Sequence, residues 1–143
     1  MNGFTIRGAR PDEMTSIQAT WDAIEFARSG ESDRVLVAIN ARGERVGQGR
    51  LVPVGDGHVE LGGMWTRDDW RGRGVAGALV RALLEAAGAA TVWCVPWADL
   101  AEFYNGLGLS ESTPTESAPE KIREKLSYCR ARYPRAVALL RKP

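Results

Sequence analysis

The chain has 143 residues, 44% hydrophobic and 26% charged, enough apolar content for one domain (residues 1–143) with a sizeable core. Nineteen Lys plus Arg face eighteen Asp plus Glu, a formal charge of +1, which excludes the sequence-wide basic field that nonspecific nucleic-acid binding requires. Cys94 and Cys129 offer no zinc spacing with the lone His58, no window approaches the ~20 apolar residues of a membrane span, and the start has no apolar leader, so a metal-free, soluble, cytoplasmic protein is expected.

Phe4 to Arg7 fits a short edge strand. Arg10-Pro11-Asp12 breaks it and offers Asp12 as a helix N-cap; Met14, Ile17, Trp21 and Ile24 then share one helical face, and Gly30 is the natural stop. Val35–Ile39 is a β-branched run whose turn, Asn40 to Gly43, leads into a second strand from Glu44 to about Val54. Gly55-Asp56-Gly57 reverses the chain again, and His58 to Thr66 is a third extended segment, with Glu60, Gly62, Met64 and Thr66 alternating against Val59, Leu61, Gly63 and Trp65. The middle of the chain therefore reads as an antiparallel meander.

From Gly74 the period changes, because Val75, Leu79, Ala82, Leu83 and Ala86 share the apolar face of a helix that Gly88 ends. Thr91–Val95 is a buried-type strand interrupted by Pro96, and Leu100 to Leu107 a short helix closed by Gly108. Ser110 to Pro119 reads as a loop beside a short strand near Leu109. Ser117 to Glu120 is a capping box for a helix that buries Ile122, Leu126 and Cys129 and stops at Tyr133-Pro134; Ala136–Leu140 is the last strand.

The most informative stretch is Arg71-Gly72-Arg73-Gly74-Val75-Ala76-Gly77, between the third meander strand and the clearest helix. Glycines let backbone amides line a concavity, and a helix N-terminus with no Ser, Thr, Asp or Asn cap leaves its donors free for an anion such as a pyrophosphate. Arg71 and Arg73 add charge-assisted donors. A solvated glycine turn is the bland alternative. Walker A fails here for want of a Lys-Ser/Thr pair. Gly72, Gly74 and Gly77 do satisfy G-x-G-x-x-G, but Arg67 to Trp70 intervene after the strand and too few crossovers follow for a doubly wound sheet. A dinucleotide-binding domain stays as the runner-up.

These residues resemble the GNAT superfamily of acyl-CoA N-acyltransferases, whose signature [Q/R]-x-x-G-x-[G/A] is met by Arg71 to Ala76. Ala101 to Leu109, containing Phe103-Tyr104 and Leu107-Gly108, is similar to the family's second motif, in the expected order and at the expected distance. The resemblance spans nearly the whole chain and implies a mixed α/β domain, a mostly antiparallel twisted sheet of six to seven strands flanked by helices. It also implies acetyl transfer from acetyl-CoA to a primary amine, on a small molecule or a peptide, by direct attack in a ternary complex. A homodimer is the family's expectation. By the same resemblance, Met64, Trp65 and Thr66 would hold the pantetheine arm and thioester, and Arg71, Gly72, Arg73, Gly74, Val75, Ala76 and Gly77 the pyrophosphate.

An alkylamine with pKa near ~10 must be deprotonated before it attacks, and Glu60 is the candidate base, with an exposed strand carboxylate as the alternative reading. His58 shares its face but sits beside a turn, where a solvated histidine is the commoner outcome. Tyr104 is the candidate donor to the leaving thiolate, core packing beside Phe103 being its other role. Two positions depart from the family: Ala98 stands where relatives often carry asparagine, and Leu109 replaces the closing phenylalanine. Trp65, Trp93 and Trp97 could line an aromatic acceptor pocket, although core packing is commoner, and Cys94 in its apolar strand reads as inert. A noncatalytic acyl-CoA-binding module is the alternative from another class. The acceptor loops, around Trp21 to Asp33 and Ser110 to Pro119, carry no motif.

Overall fold

Four extended segments pair antiparallel in the order in which the chain makes them: β1 (Phe4–Gly8), β2 (Arg34–Asn40), β3 (Arg45–Gly55) and β4 (His58–Thr66). Helix α2 (Val75–Ala87) then carries the chain back, so β5 (Thr91–Cys94) lies parallel to β4, a pairing that only a crossover connection allows. In the computed structural model, which describes residues 3–27, 29–112 and 117–143, β6 (Ser110–Glu111) and β7 (Leu140–Lys142) complete a seven-stranded sheet in the order β1-β2-β3-β4-β5-β7-β6. The expected mostly antiparallel α/β fold is what forms, and its single parallel pair removes the doubly wound alternative.

The two faces of the sheet are covered by different helices, as the period-two alternation demands. Leu36, Ala38, Leu51 and Leu61 point to one side, where Val75, Leu79 and Leu83 of α2 bury them. Val35 and Val37 point to the other, under Ile17 and Trp21 of α1 (Met14–Ala23). Further along that second face, α4 (Glu120–Arg132) packs Ile122 and Leu126 on Val54 and Trp93. The short α3 (Ala101–Asn105) contributes Tyr104 to the α2 side. Among the described residues no helix is long and apolar enough to cross a membrane.

Local chemistry moves several predicted boundaries. Asp12 caps nothing: Pro11–Glu13 forms a 3-10 turn, and Glu13 accepts the Arg10 N–H at 2.8 Å while its two oxygens take 2.8 Å bonds from Arg7. Helix α1 stops at Ala23 rather than Gly30, and Ile24 is exposed instead of buried. Helix α4 begins behind Pro119, whose carbonyl accepts from Ile122 and Arg123, so Ser117 is not its cap; Cys129 on that helix is half-buried. The last strand is Leu140–Lys142, not Ala136–Leu140, because the segment before it bonds to the bend after β5: Pro96, without an N–H of its own, accepts from Ala138, and Ala98 donates to Ala136. Of the two expected acceptor loops, Arg28 and residues 113–116 lie outside the described residues.

Candidate active site

Strands β4 and β5 pair only through His58 with Thr91, Val59 with Val92 and Glu60 with Trp93, and then part. Two local features open this fork. Strand β5 ends at Cys94 ahead of Pro96, and β4 carries a bulge, since Gln48 pairs with Trp65 and Arg50 with Gly62, leaving Gly63 and Met64 opposite Gly49 alone. Gly63 has φ +64, and a Cβ on it would stand 3.0 Å from Trp21 Nε1 and 3.1 Å from Arg50 Nε. The indole N–H of Trp21 donates to the Gly63 carbonyl at 2.7 Å and locks the bulge from the α1 side. The gap is a cavity of about 390 Å³, walled by Met64, Trp65 and Thr66 on one flank and Leu100, Phe103 and Tyr104 on the other.

A second cavity of about 230 Å³ shares Thr66, Arg71, Ala76 and Phe103 with the first and runs to the start of α2. There Gly72 and Gly74 have φ +75 and +83, and no side chain caps the helix. The first intrahelical bond runs from the Ala78 N–H to the Gly74 carbonyl, so the N–H groups of the first turn have no acceptor within the helix. These donors, the helix dipole and Arg71, which pairs loosely with exposed Asp68 at 3.2 Å, suit a polyanion. Of the expected cradle residues only Arg73 lines neither cavity; its guanidinium stacks 4.6 Å over Trp70. The residues present therefore fit an elongated cofactor with a charged end at α2 and an uncharged arm between the strands.

At the apex of the fork the side chains are coupled. Glu60 is 8% exposed, and its Oε2 accepts from Nζ of Lys125, which reaches across from α4. Arg50, 6% exposed, stacks 4.1 Å over Trp21 and donates to the Ala27 carbonyl at 2.7 Å, while its Nη1 finds no partner. Burial pulls this guanidinium below the ordinary arginine value, against the charges of Asp33 and Glu60. Burial raises both the Cys94 thiol and the neighbouring Tyr104 phenol: the thiol is pushed up to about 12, the phenol well above its usual value. Cys94 is thus the inert thiol its strand suggested. His58 is held in place, its Nδ1 accepting the Trp93 indole N–H at 3.0 Å.

The three tryptophans do not converge. Trp65 lines the cleft, Trp93 is buried under α4, and Trp97 packs edge-on against Tyr133 at 5.3 Å beneath Arg135, so no shared aromatic pocket exists. Lys125 and Arg50 escaped the sequence reading, because nothing local to either one marks it, and Trp21 was read only as a core residue of the first helix. Lys125 stands 65 positions from Glu60 in the chain.

Residues 5–108 match the Acetyltransferase (GNAT) family. The chain belongs to the GNAT family. It is an acyl-CoA N-acyltransferase, and acetyl-CoA is its co-substrate. No curated protein matches it significantly. Among solved structures, this GNAT chain resembles the Rv2747 protein of Mycobacterium tuberculosis in complex with CoA, at 19% identity and TM-score 0.71, over 96% of this chain and 98% of that one. It is similar too to N-acetylglutamate synthase of Neisseria gonorrhoeae complexed with coenzyme A and N-acetyl-glutamate, at 17% identity and TM-score 0.76, over 97% of this chain and 34% of the synthase. A variant of the SpeG spermidine N-acetyltransferase of Vibrio cholerae aligns at 12% identity and TM-score 0.70, over 99% and 94%. At these identities the likeness is of fold.

Proposed function

We propose that residues 1–143 work as one GNAT domain that acetylates a primary amine, on a small molecule or a peptide, by direct attack on bound acetyl-CoA. Met64, Trp65 and Thr66 would hold the pantetheine arm along β4, and Arg71 to Gly77 the pyrophosphate, the reading that the two joined cavities and the uncapped α2 support. When bound, acetyl-CoA supplies a thioester whose carbonyl an amine can attack. Main-chain N–H groups beside the bulge would take the developing oxyanion, an arrangement fixed before the reaction begins.

Glu60 is the proposed base. The carrying observation is its position: the last residue of β4 paired to β5, almost fully buried, with its carboxylate already on an ammonium. A carboxylate there can receive the acceptor's ammonium and take its proton, directly or through water. Tyr104 walls the cleft, whereas Glu60 lies at its apex and lines neither cavity. The raised pKa of Tyr104 makes it a hydrogen-bond donor to the leaving thiolate, since full proton transfer from so weak an acid would be uphill.

Two measurements test the reading. Thermal melting with acetyl-CoA, CoA and NAD should shift for the first two alone. Thiol release from acetyl-CoA over a panel of primary amines should then find turnover, and Glu60→Gln should lower kcat by roughly 100-fold or more while keeping the acetyl-CoA melting shift. Wild-type kcat in Glu60→Gln would remove Glu60 from the mechanism.

A further inference from the structure

Among the described residues, Lys125 is the one amine that the fold itself delivers to the proposed base. The chain holds three lysines, Lys121, Lys125 and Lys142, against a large excess of arginine. The other ion pairs among the described residues draw their cations from Arg7, Arg67, Arg71 and Arg135. A planar guanidinium would bind a carboxylate in two places, yet the pair at the fork uses a lysine, the cation that becomes a nucleophile once it loses a proton.

The surroundings suit that chemistry. Nζ of Lys125 touches Glu60 Oε2 on the α4 side of the sheet, and its side chain keeps 43% exposure, so it can swing without breaking the core. Glu60 is the last β4 residue paired to β5, and Tyr104 walls the cleft that opens beyond it. The Lys125 amine therefore rests on the carboxylate at which the fork begins.

We propose that Lys125 is an acetylation site of this protein, modified in cis by its own bound acetyl-CoA; the inference rests on the reading of Glu60 and the cleft given above. Glu60 takes a proton from the Lys125 ammonium, and the Nζ lone pair attacks the thioester carbonyl carbon. The C–N bond forms, the C–S bond breaks, and its electron pair leaves on sulfur. The thiolate takes a proton, and the products are an amide on Lys125, free CoA and one proton released. The amide carries no charge, so the ion pair to Glu60 is lost with it.

The experiment incubates the purified full chain with acetyl-CoA alone and follows intact mass and a peptide map, beside a melting curve with the same ligand. Expected is a gain of one acetyl group at Lys125, at a rate constant unchanged over a roughly hundredfold range of protein concentration, as an intramolecular step requires. Lys121 and Lys142, open to the same solution, stay unmodified. Lys125→Arg removes the label, and Glu60→Gln slows it by roughly 100-fold with the melting shift kept. Equal labelling of all three lysines, or a rate that rises with protein concentration, overturns the proposal. A melting shift without label at Lys125 overturns it and leaves the donor site standing. No melting shift overturns the donor site and this proposal together.

Discussion

Replacing Gly74 by aspartate should weaken donor binding at least roughly twentyfold while leaving the fold nearly as stable as before. Gly74 sits at φ +83 with open space where a Cβ would project. A non-glycine residue there costs roughly 1–2 kcal/mol in backbone conformation, and a carboxylate at the head of an uncapped helix returns about 1 kcal/mol. The net loss of about 1 kcal/mol lowers Tm by roughly 2–4 °C. Binding suffers more. A carboxylate ~5 Å from a doubly charged pyrophosphate is repelled by about 2 kcal/mol at the dielectric of water and about 7 kcal/mol at an effective constant of 20, so affinity falls at least roughly twentyfold. With acetyl-CoA at ~100 times the wild-type Kd, the wild type gains about 2.7 kcal/mol, or roughly 5–11 °C, and the aspartate variant about 1 kcal/mol or less. Gly74→Ala is the control, with the same backbone strain and no charge, and should keep the ligand shift. A full shift in Gly74→Asp, or an equal loss in Gly74→Ala, would refute the anion cradle.

Three further outcomes are expected. Gly63→Ala forces a side chain into positive φ and against Trp21 and Arg50, so chemical denaturation should show a loss of about 2–5 kcal/mol; a loss within about 0.5 kcal/mol would mean the bulge is not needed. Tyr104→Phe should lower kcat by roughly 100-fold, evenly from pH 6 to 9, because burial keeps the phenol neutral throughout; a loss confined to one limb of the profile would instead mark proton transfer. Glu13, held by Arg7, has its carboxyl pKa lowered to about 2, so its contribution to stability is present above the ordinary carboxylate range and is lost as pH falls through about 2. Glu13→Gln should therefore lower Tm at pH 7 by an amount that shrinks steadily below pH 4.5, and a difference independent of pH would show that the pair contributes no electrostatic stability.

Much of what depends on near neighbours in the chain was legible, although the local cap readings at Asp12 and Ser117 failed. The extended run from His58 to Thr66 and the helical stripe from Val75 both mark elements whose boundaries the structure keeps, because period and turn chemistry act within a few residues; the expected alternation itself holds only to Gly62, since the bulge turns Met64 to the face of Leu61. The shape of the glycine loop was equally readable: the structure has the uncapped helix start and the positive-φ glycines expected there, and free donors in that arrangement suit an anion. The ends of α1 and of the last strand were not, because tertiary partners set them: the Trp21 indole holds the Gly63 carbonyl, and Ala136 and Ala138 bond to the bend after β5 rather than to a neighbouring strand. The apex of the cleft also waited for the fold. Glu60 could be read as a candidate base or as an exposed strand carboxylate, and only the packing of helix α4 buried it and laid Lys125 against it, while Arg50 looked like any strand arginine until Trp21 covered it. A sequence fixes which residues can bury or bend the chain, but which charge meets which is decided only when strands and helices far apart in the chain pack, because electrostatic contacts act through space and carry no period.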